Sequence, residues 1–306
     1  TLARCGRAPA LRGVTDWLNT PGGDPVPQDE LSGHVVLLEF FSTACAPCRR
    51  DEAYLSALDD AYHRYGLRVI GVDSAQFPFE RRASDVRAAL EQQQVRYPVA
   101  LDPRGTAWRS YRAGTRPARY LVDQQGVVRA ISLAEGGFGT TENLVRALLL
   151  EGQRPGTQLS EPAVPNVVTD DVPRMPGDGV TQDTQLGVRP PRYTGSPVVR
   201  AGTTTYERTA IQPDDTFSLG GSWRVRERSM SAVDEASIRV TVHARKVWLV
   251  VSGGGSITVH HDGLADSVQP VTTPGAYQLL DADQVVERRL DIDLPPGTTV
   301  HAIEFG

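Results

Sequence analysis

Two cysteines separated by two residues, Cys45-Ala46-Pro47-Cys48, are the side chains of this chain best suited to covalent chemistry. Their spacing permits three uses: a redox-active dithiol, a small structural disulfide ring, or half of a zinc site. A four-cysteine zinc site needs a second pair, and only Cys5 remains, so zinc would have to recruit histidines from unknown positions. The flanking residues favour redox chemistry. Val35–Phe41 is an apolar run too short for a typical helix and reads as a buried strand. After Ser42, Thr43 and Ala44, the residues Leu55, Leu58, Tyr62 and Tyr65 recur at helical spacing up to Gly66. A helix opening at Cys45 puts that sulfur among unpaired backbone N–H groups at the positive end of the helix dipole, where a thiolate is stabilised. Cys48 follows about one turn deeper, near enough to close the ring. Cys45 is therefore the candidate nucleophile, and Cys48 the thiol that resolves a mixed disulfide.

Acids near the pair come next. Glu39 lies six residues before Cys45 inside the apolar strand, and strand alternation can turn it under the cysteines as a proton acceptor for Cys48. A lone acid in such a run is costly unless paired or functional, the alternative being an exposed glutamate at a sheet edge. Asp51 and Glu52 fall in the early turns of the helix, where acids are common for dipole reasons alone, and either one can also tune the thiols.

The elements that must position these residues alternate between strand and helix from 35 to 150. Leu67–Asp73 reads as a parallel strand beside Val35–Phe41, and Ser84 caps a helix that buries Val86 and Leu90. Tyr97–Leu101 is a further strand, followed by a short helix with Trp108 and Tyr111. Ala118–Asp123 and Val127–Leu133 flank Gln124-Gln125-Gly126 as a hairpin, and a last helix opens at Thr140 or Thr141. Residues 1–34 are rich in turn signals, with a short helix expected around Val14–Leu18; Cys5 in this lead-in is read as a bystander thiol. The whole of 1–150 is expected to be one α/β domain, a mixed sheet flanked by helices.

The character then changes twice. Residues 151–192 carry Pro155, Pro162, Pro165, Pro173, Pro176, Pro190 and Pro191 without an apolar period, and read as a linker or extended arm. From 193 to 306 short strands recur between Gly253-Gly254-Gly255, Asp262-Gly263, Pro274-Gly275 and Pro295-Pro296-Gly297, which indicates an all-β jelly-roll or β-sandwich domain. Its aromatics Tyr193, Tyr206, Trp223, Trp248 and Tyr277 are candidates for stacking on sugar rings, weighed against the more frequent core role. His260-His261 is a poor chelate, because adjacent strand residues point to opposite faces.

Composition narrows the partners. A net charge of −5 over 306 residues argues against general nucleic-acid affinity. No apolar stretch approaches the roughly 18–20 residues needed to cross a membrane. The chain does not begin with Met, so it is expected to be a mature product or an excised part. Lys246 is the only lysine, a bias of coding rather than of function.

The strand–Cys-x-x-Cys–helix unit, the βα that follows, and Arg116-Pro117 before a strand ending in Val122-Asp123 resemble the thioredoxin superfamily, and more narrowly its TlpA-type redoxins. The resemblance makes Pro117 the cis-proline that faces the cysteines and presents backbone to a substrate segment. It makes Glu39 the buried acid beneath them, and Asp51 an acid found three residues after the second cysteine in some TlpA-type proteins. Arg116, Ala46, Pro47 and Asp51 are accordingly candidates for substrate contact and tuning. A wider similarity joins Trp17-Leu18-Asn19, Gln76-Phe77-Pro78-Phe79-Glu80, Arg119-Tyr120-Leu121-Val122-Asp123, Glu135-Gly136-Gly137, Thr141-Glu142, Pro191-Arg192-Tyr193-Thr194-Gly195 and Ile303-Glu304-Phe305-Gly306 to the soluble C-terminal region of DipZ-type proteins. There a redoxin is followed by a carbohydrate-binding-module-like β-sandwich. This implies an extracytoplasmic location, protein disulfides as substrates, electrons from a CcdA-type membrane partner, and a glycan as a candidate ligand of the second domain. No cofactor is implied beyond the Cys45–Cys48 disulfide.

Two departures stand out. Ala44 occupies the place where thioredoxins usually carry Trp, and Arg116 precedes the proline where a smaller or apolar residue is usual. Arg116, with Arg49, Arg50 and Arg119, is expected to make the cysteine pair electropositive and lower the Cys45 pKa. Two rival functions remain on the table: a cell-envelope or glycan-binding protein with a redox-inert redoxin scaffold, and a thiol peroxidase.

Overall fold

In the computed structural model, which describes residues 3–133, 135–151, 156–163 and 180–306, the chain divides into two units, Thr1–Met175 and Pro176–Gly306. Pro155, Pro165, Pro173, Pro176 and the Arg50 side chain lie outside the described residues.

The first unit opens with a correction. Trp17–Leu18, expected on a helix, form strand β1, paired antiparallel with Ala100 and Val99. Consecutive residues that both need burial serve opposite faces of a sheet: Trp17 joins the apolar cluster on one side and Leu18 the cluster on the other. A short helix α1 (Gln28–Leu31) leads to β2 (Val35–Phe41), every residue of which is buried. Helix α2 (Ala46–Tyr62) follows and passes through a 3-10 turn to Gly66, whose φ of 102° ends it in the left-handed region that glycine tolerates. Then come β3 (Leu67–Asp73), α3 (Ala83–Gln92), β4 (Val99–Leu101), α4 (Thr106–Tyr111), β5 (Ala118–Val122), β6 (Val128–Ser132) and α5 (Phe138–Glu151). The last helix starts at Phe138, two residues before the expected Thr140.

The six-stranded sheet runs β1-β4-β3-β2-β5-β6, with β2, β3 and β4 parallel and the others antiparallel to their neighbours. Its two faces are visible in the alternation of β2. Val35, Leu37 and Phe41 pack with Tyr54, Leu55 and Leu58 of α2 and Val145 and Leu148 of α5, while Val36, Leu38 and Phe40 pack with Tyr111 and Tyr120. Each fully buried Leu or Val there contributes about 1.5–3 kcal/mol.

The second unit is all β and antiparallel, with strands β7 (Thr184–Gln185), β8 (Gly202–Tyr206), β9 (Phe217–Arg226), β10 (Ser229–Ser252), β11 (Ser256–His261), β12 (Ser267–Pro270), β13 (Gly275–Leu294) and β14 (Thr299–Phe305). The order is β12-β11-β13-β10-β14-β7, with β9 on β10 and β8 on β9. The stretch read as a linker contributes here: β7 pairs with β14, and Leu186 is fully buried in the core. Several of the short strands expected in this half turn out to be parts of longer ones. Ile238–Val242 and Val247–Val251 belong to the single strand β10, and Tyr277–Leu279 and Leu290–Leu294 to β13, because bulges let one strand bend without ending. Gly221 is required opposite one bulge, where its φ is 80° and a Cβ would strike the Glu235 carbonyl.

Candidate active site

β2 ends at Phe41, and Ser42, Thr43 and Ala44 form a buried turn that delivers Cys45 to the N-cap of α2. Pro47 in the first turn suits a helix start, since its missing N–H would have had no intrahelical partner there. The Cys48 amide donates to Cys45 Sγ at 3.2 Å, so the sulfur takes the capping position that an oxygen usually fills. Cys45 and Cys48 are joined as a disulfide with Cα atoms 5.3 Å apart. Both are buried, Cys45 at 4% exposure and Cys48 at none, so Cys45 is the one nearer the surface. Ala46 is buried beside it and Pro47 half-buried.

The Arg116–Pro117 peptide bond is cis, and the Arg116 carbonyl oxygen lies 3.8 Å from Cys45 Sγ. Backbone of that loop thus faces the sulfur while the Arg116 side chain leaves in another direction. Its guanidinium stacks on Trp108 with 4.0 Å to the ring centroid, and its Nε donates to the Ser74 carbonyl at 3.1 Å. Burial lowers its pKa, against the attraction of Glu80, Asp73 and Asp102.

Beneath the disulfide lies a group of buried acids. Glu39 is fully buried between β3 and β5, which removes the sheet-edge alternative, and alternation turns it to the face shared with Cys48 and α2. Burial drives its pKa well up, the neighbouring Asp51 adds to this, and Arg119 opposes it. Asp51, also buried, is raised to about 7 by burial against the pull of Arg119. Glu52 is raised to about 8, again mainly by burial. Burial thus makes these carboxyls bind a proton more tightly than ordinary ones, which brings them nearer to a thiol in proton affinity and suits them to exchanging a proton with it.

Arg119 departs from its expected role as a surface cation around the thiols. It is 2% exposed, with Nε 3.6 Å from Asp51 Oδ2, and it donates to Ser132 Oγ and the Gly136 carbonyl. Its charge serves the interior acids.

The sequence reading missed the hydrogen-bonded collar of the turn before Cys45. Glu80, 1% exposed, accepts from Ser42 Oγ (2.5 Å), Thr43 Oγ1 (3.1 Å) and the Ala44 amide (3.1 Å). Asp73 accepts from the Thr43 amide at 3.2 Å, and Gln93 Nε2 donates to the Thr43 carbonyl at 2.8 Å. The usable clue was Pro78 and Glu80 at the first and third positions of a turn, where a glutamate can reach back to the amide of the residue before the turn.

In the second unit, Trp223 and Tyr206 are core residues, Trp248 is 6% exposed, and Tyr193 and Tyr277 are half-buried. His260 is held between Asp266 (2.8 Å) and Asp293 (3.0 Å), while His261 faces Ser267. No group of three or more metal-ligating side chains occurs among the described residues, and no helix among them is long and apolar enough to cross a membrane.

Known proteins resemble this chain in each of its two parts. The AhpC/TSA family model matches residues 13–131, and the model described as a thioredoxin-like C-terminal domain matches 181–306, the all-β unit. Protein DipZ of Mycobacterium bovis is 33% identical over the whole chain, which spans 44% of that relative's length. Thiol-disulfide oxidoreductase ResA of Bacillus cereus is 27% identical over 106 residues, 35% of this chain and 58% of that one. A thiol:disulfide interchange protein of the thioredoxin family from Chlorobium tepidum superposes with a TM-score of 0.40 at 22% identity, covering 48% of this chain and 98% of that one. With a Cys-x-x-Cys disulfide at a helix N-terminus, a cis-proline loop against it, AhpC/TSA and thioredoxin-like C-terminal-domain matches and a DipZ relative along its full length, the chain is similar to the TlpA-type redoxins of the thioredoxin superfamily.

Proposed function

We propose that this chain exchanges disulfides with protein substrates outside the cytoplasm, working as a reductase supplied with electrons by a CcdA-type membrane partner. The observation that carries the reading is the Cys45–Cys48 pair at the α2 N-terminus, with Cys45 4% exposed, Cys48 fully buried and the Arg116 carbonyl opposite the Cys45 sulfur. In the reduced protein the Cys45 thiolate attacks one sulfur of a substrate disulfide, forming a mixed disulfide and releasing one substrate thiolate. Cys48, losing its proton to Glu39, then attacks Cys45 Sγ and releases the second thiolate. Two electrons pass to the substrate and the Cys45–Cys48 bond forms. A dithiol donor reverses that step to restore the enzyme, with Glu39 returning the proton.

Pro117 and the Arg116 backbone offer an extended substrate segment main-chain groups next to the reacting sulfur, while Ala46 and Pro47 form the adjacent rim. Asp51 and Arg119 set the protonation of Glu39. The resemblance to DipZ-type proteins supports the reductive direction over the oxidative one. The deciding experiment is the reduction potential of the Cys45–Cys48 pair, equilibrated in glutathione and dithiothreitol buffers. A value near the reducing end, about −270 mV as in thioredoxin, supports the reductase. A value near −120 mV, that of the strong oxidants, makes the protein a donor of disulfides. No two-electron equilibrium would turn the reading to a binding protein on an inert scaffold, and Cys45-dependent peroxide consumption would turn it to a peroxidase.

A further inference from the structure

Every donor around one buried carboxyl belongs to a segment that shapes the redox site. Glu80 Oε1 takes Ser42 Oγ, Thr43 Oγ1 and the Ala44 amide, all in the turn directly before Cys45. Its Oε2 takes the amides of Gln76 and Phe77, both at 2.8 Å. The carboxyl therefore ties the nucleophile turn to the segment 74–80. The other wall of the site is tied to that same segment: Ser74 accepts from Arg116 Nε through its carbonyl, and the Ser74 amide donates to the Phe41 carbonyl at 2.9 Å. The Arg116 carbonyl in turn faces Cys45 Sγ. Both the loop that carries the nucleophile and the loop that carries Pro117 are thus braced on residues 74–80, and Glu80 is the group that closes the brace. Ala44, where a thioredoxin has an indole to pack over the turn, leaves that turn dependent on hydrogen bonds.

We infer that Glu80 is a positioning residue for the exchange reaction: it holds Cys45 in the helix-capping geometry in which the Cys48 amide reaches its sulfur. The inference rests on the thiol-exchange reading, yet concerns a property of the reduced protein that no substrate is needed to measure. With Glu80 in place, Cys45 adopts φ −79° and ψ 112°, the extended conformation of an N-cap, and its Sγ accepts the Cys48 N–H. Replacing Glu80 by Gln leaves an acceptor for one set of donors only. The amide's NH2 then points at N–H groups of Gln76 and Phe77 or at the turn, and the turn relaxes. The thiolate loses its amide donor.

The experiment is the pH profile of Cys45 alkylation by iodoacetamide in the reduced full chain, for the wild type, Glu80→Gln and Ser42→Ala. Positioning predicts that Glu80→Gln raises the Cys45 pKa and cuts its thiolate fraction at neutral pH on the order of tenfold, the scale of one hydrogen bond to a charged group. Ser42→Ala, which removes the 2.5 Å contact and keeps the Glu80 charge, shifts the profile the same way by less. Loss of a nearby negative charge alone would lower that pKa, and Asp73, Asp102 and Arg116 remain in both variants as fixed background. A downward shift in Glu80→Gln, or an unmoved profile with reduced stability, overturns the inference. If Glu80→Gln fails to fold, an unmoved profile in Ser42→Ala overturns it. Loss of disulfide exchange in the wild type would instead sink the function reading and leave the Cys45 profile to be judged separately.

Discussion

The two units place their charges in opposite ways. In the all-β unit charged side chains pair at the rim of the structure: Arg239 with Asp291 at 2.7 Å, His260 with Asp266 and Asp293, Lys246 with Asp281. Its interior is mainly apolar around the fully buried Trp223, with His301 and Glu304 buried singly in β14. The redoxin unit instead buries Glu39, Asp51, Glu52 and Asp73 next to its disulfide, and burial raises the pKa of each. Burying a carboxyl costs free energy, and doing it repeatedly within one small region marks where the molecule handles protons. The β unit has no comparable region among its described residues, and its interior serves packing.

The contrast can be broken most directly at the cysteines. Cys45→Ser abolishes disulfide exchange, while Cys48→Ser retains attack and accumulates mixed disulfides that non-reducing gels detect; exchange surviving in Cys45→Ser would move the chemistry elsewhere. Trp223→Ala is the matching test of the β unit. It lowers stability by about 3–5 kcal/mol through the cavity it leaves, read by denaturant unfolding, with the Cys45 alkylation rate unchanged. A change in that rate would mean that the two units are not separable in function.

Glu52 sharpens the comparison through pH. Its folded pKa, about 8, lies above the ordinary carboxylate value, so the folded state binds the proton more tightly. The stability that follows is complete below about pH 4.5 and is lost as pH rises through 8. Glu52→Gln therefore unfolds like the wild type near pH 4.5 and is more stable near pH 8, on the order of a few kcal/mol. Equal Tm differences at the two pH values would refute it. The smallest effect is expected at Arg116. Its guanidinium is committed to Trp108 and Ser74, so Arg116→Ala changes the Cys45 thiolate fraction by about threefold or less, the scale of a screened charge. A tenfold fall would restore it as the main electrostatic support of the thiolate.

Local chemistry made much of the redox site legible. Strand, Cys-x-x-Cys and helix lie in one run of residues, and N-cap geometry follows from where a short continuous apolar run gives way to apolar residues spaced at three and four. Glu39 was visible for the same reason, as a charge breaking an apolar strand. Arg119 and Glu80 were not, because an arginine in a strand or a glutamate in a turn looks solvated until its partners arrive. Those partners come from Asp51 and Gly136 in one case and from Ser42 to Ala44 in the other. The helix expected around Val14–Leu18 failed similarly, since pairing with Val99 and Ala100 outweighs local propensity in so short a segment. The fused strands β10 and β13 escaped notice because a bulge reads in sequence as a break.

By itself, then, the order of residues determined which two sulfurs pair and which helix end carries them, since both depend on neighbours within a turn or two. Tertiary structure decided which charges are interior, which carbonyl faces the Cys45 sulfur and which carboxyl braces its turn. Those are contacts between residues some 36 to 71 positions apart, and only the folded sheet brings them within hydrogen-bonding range.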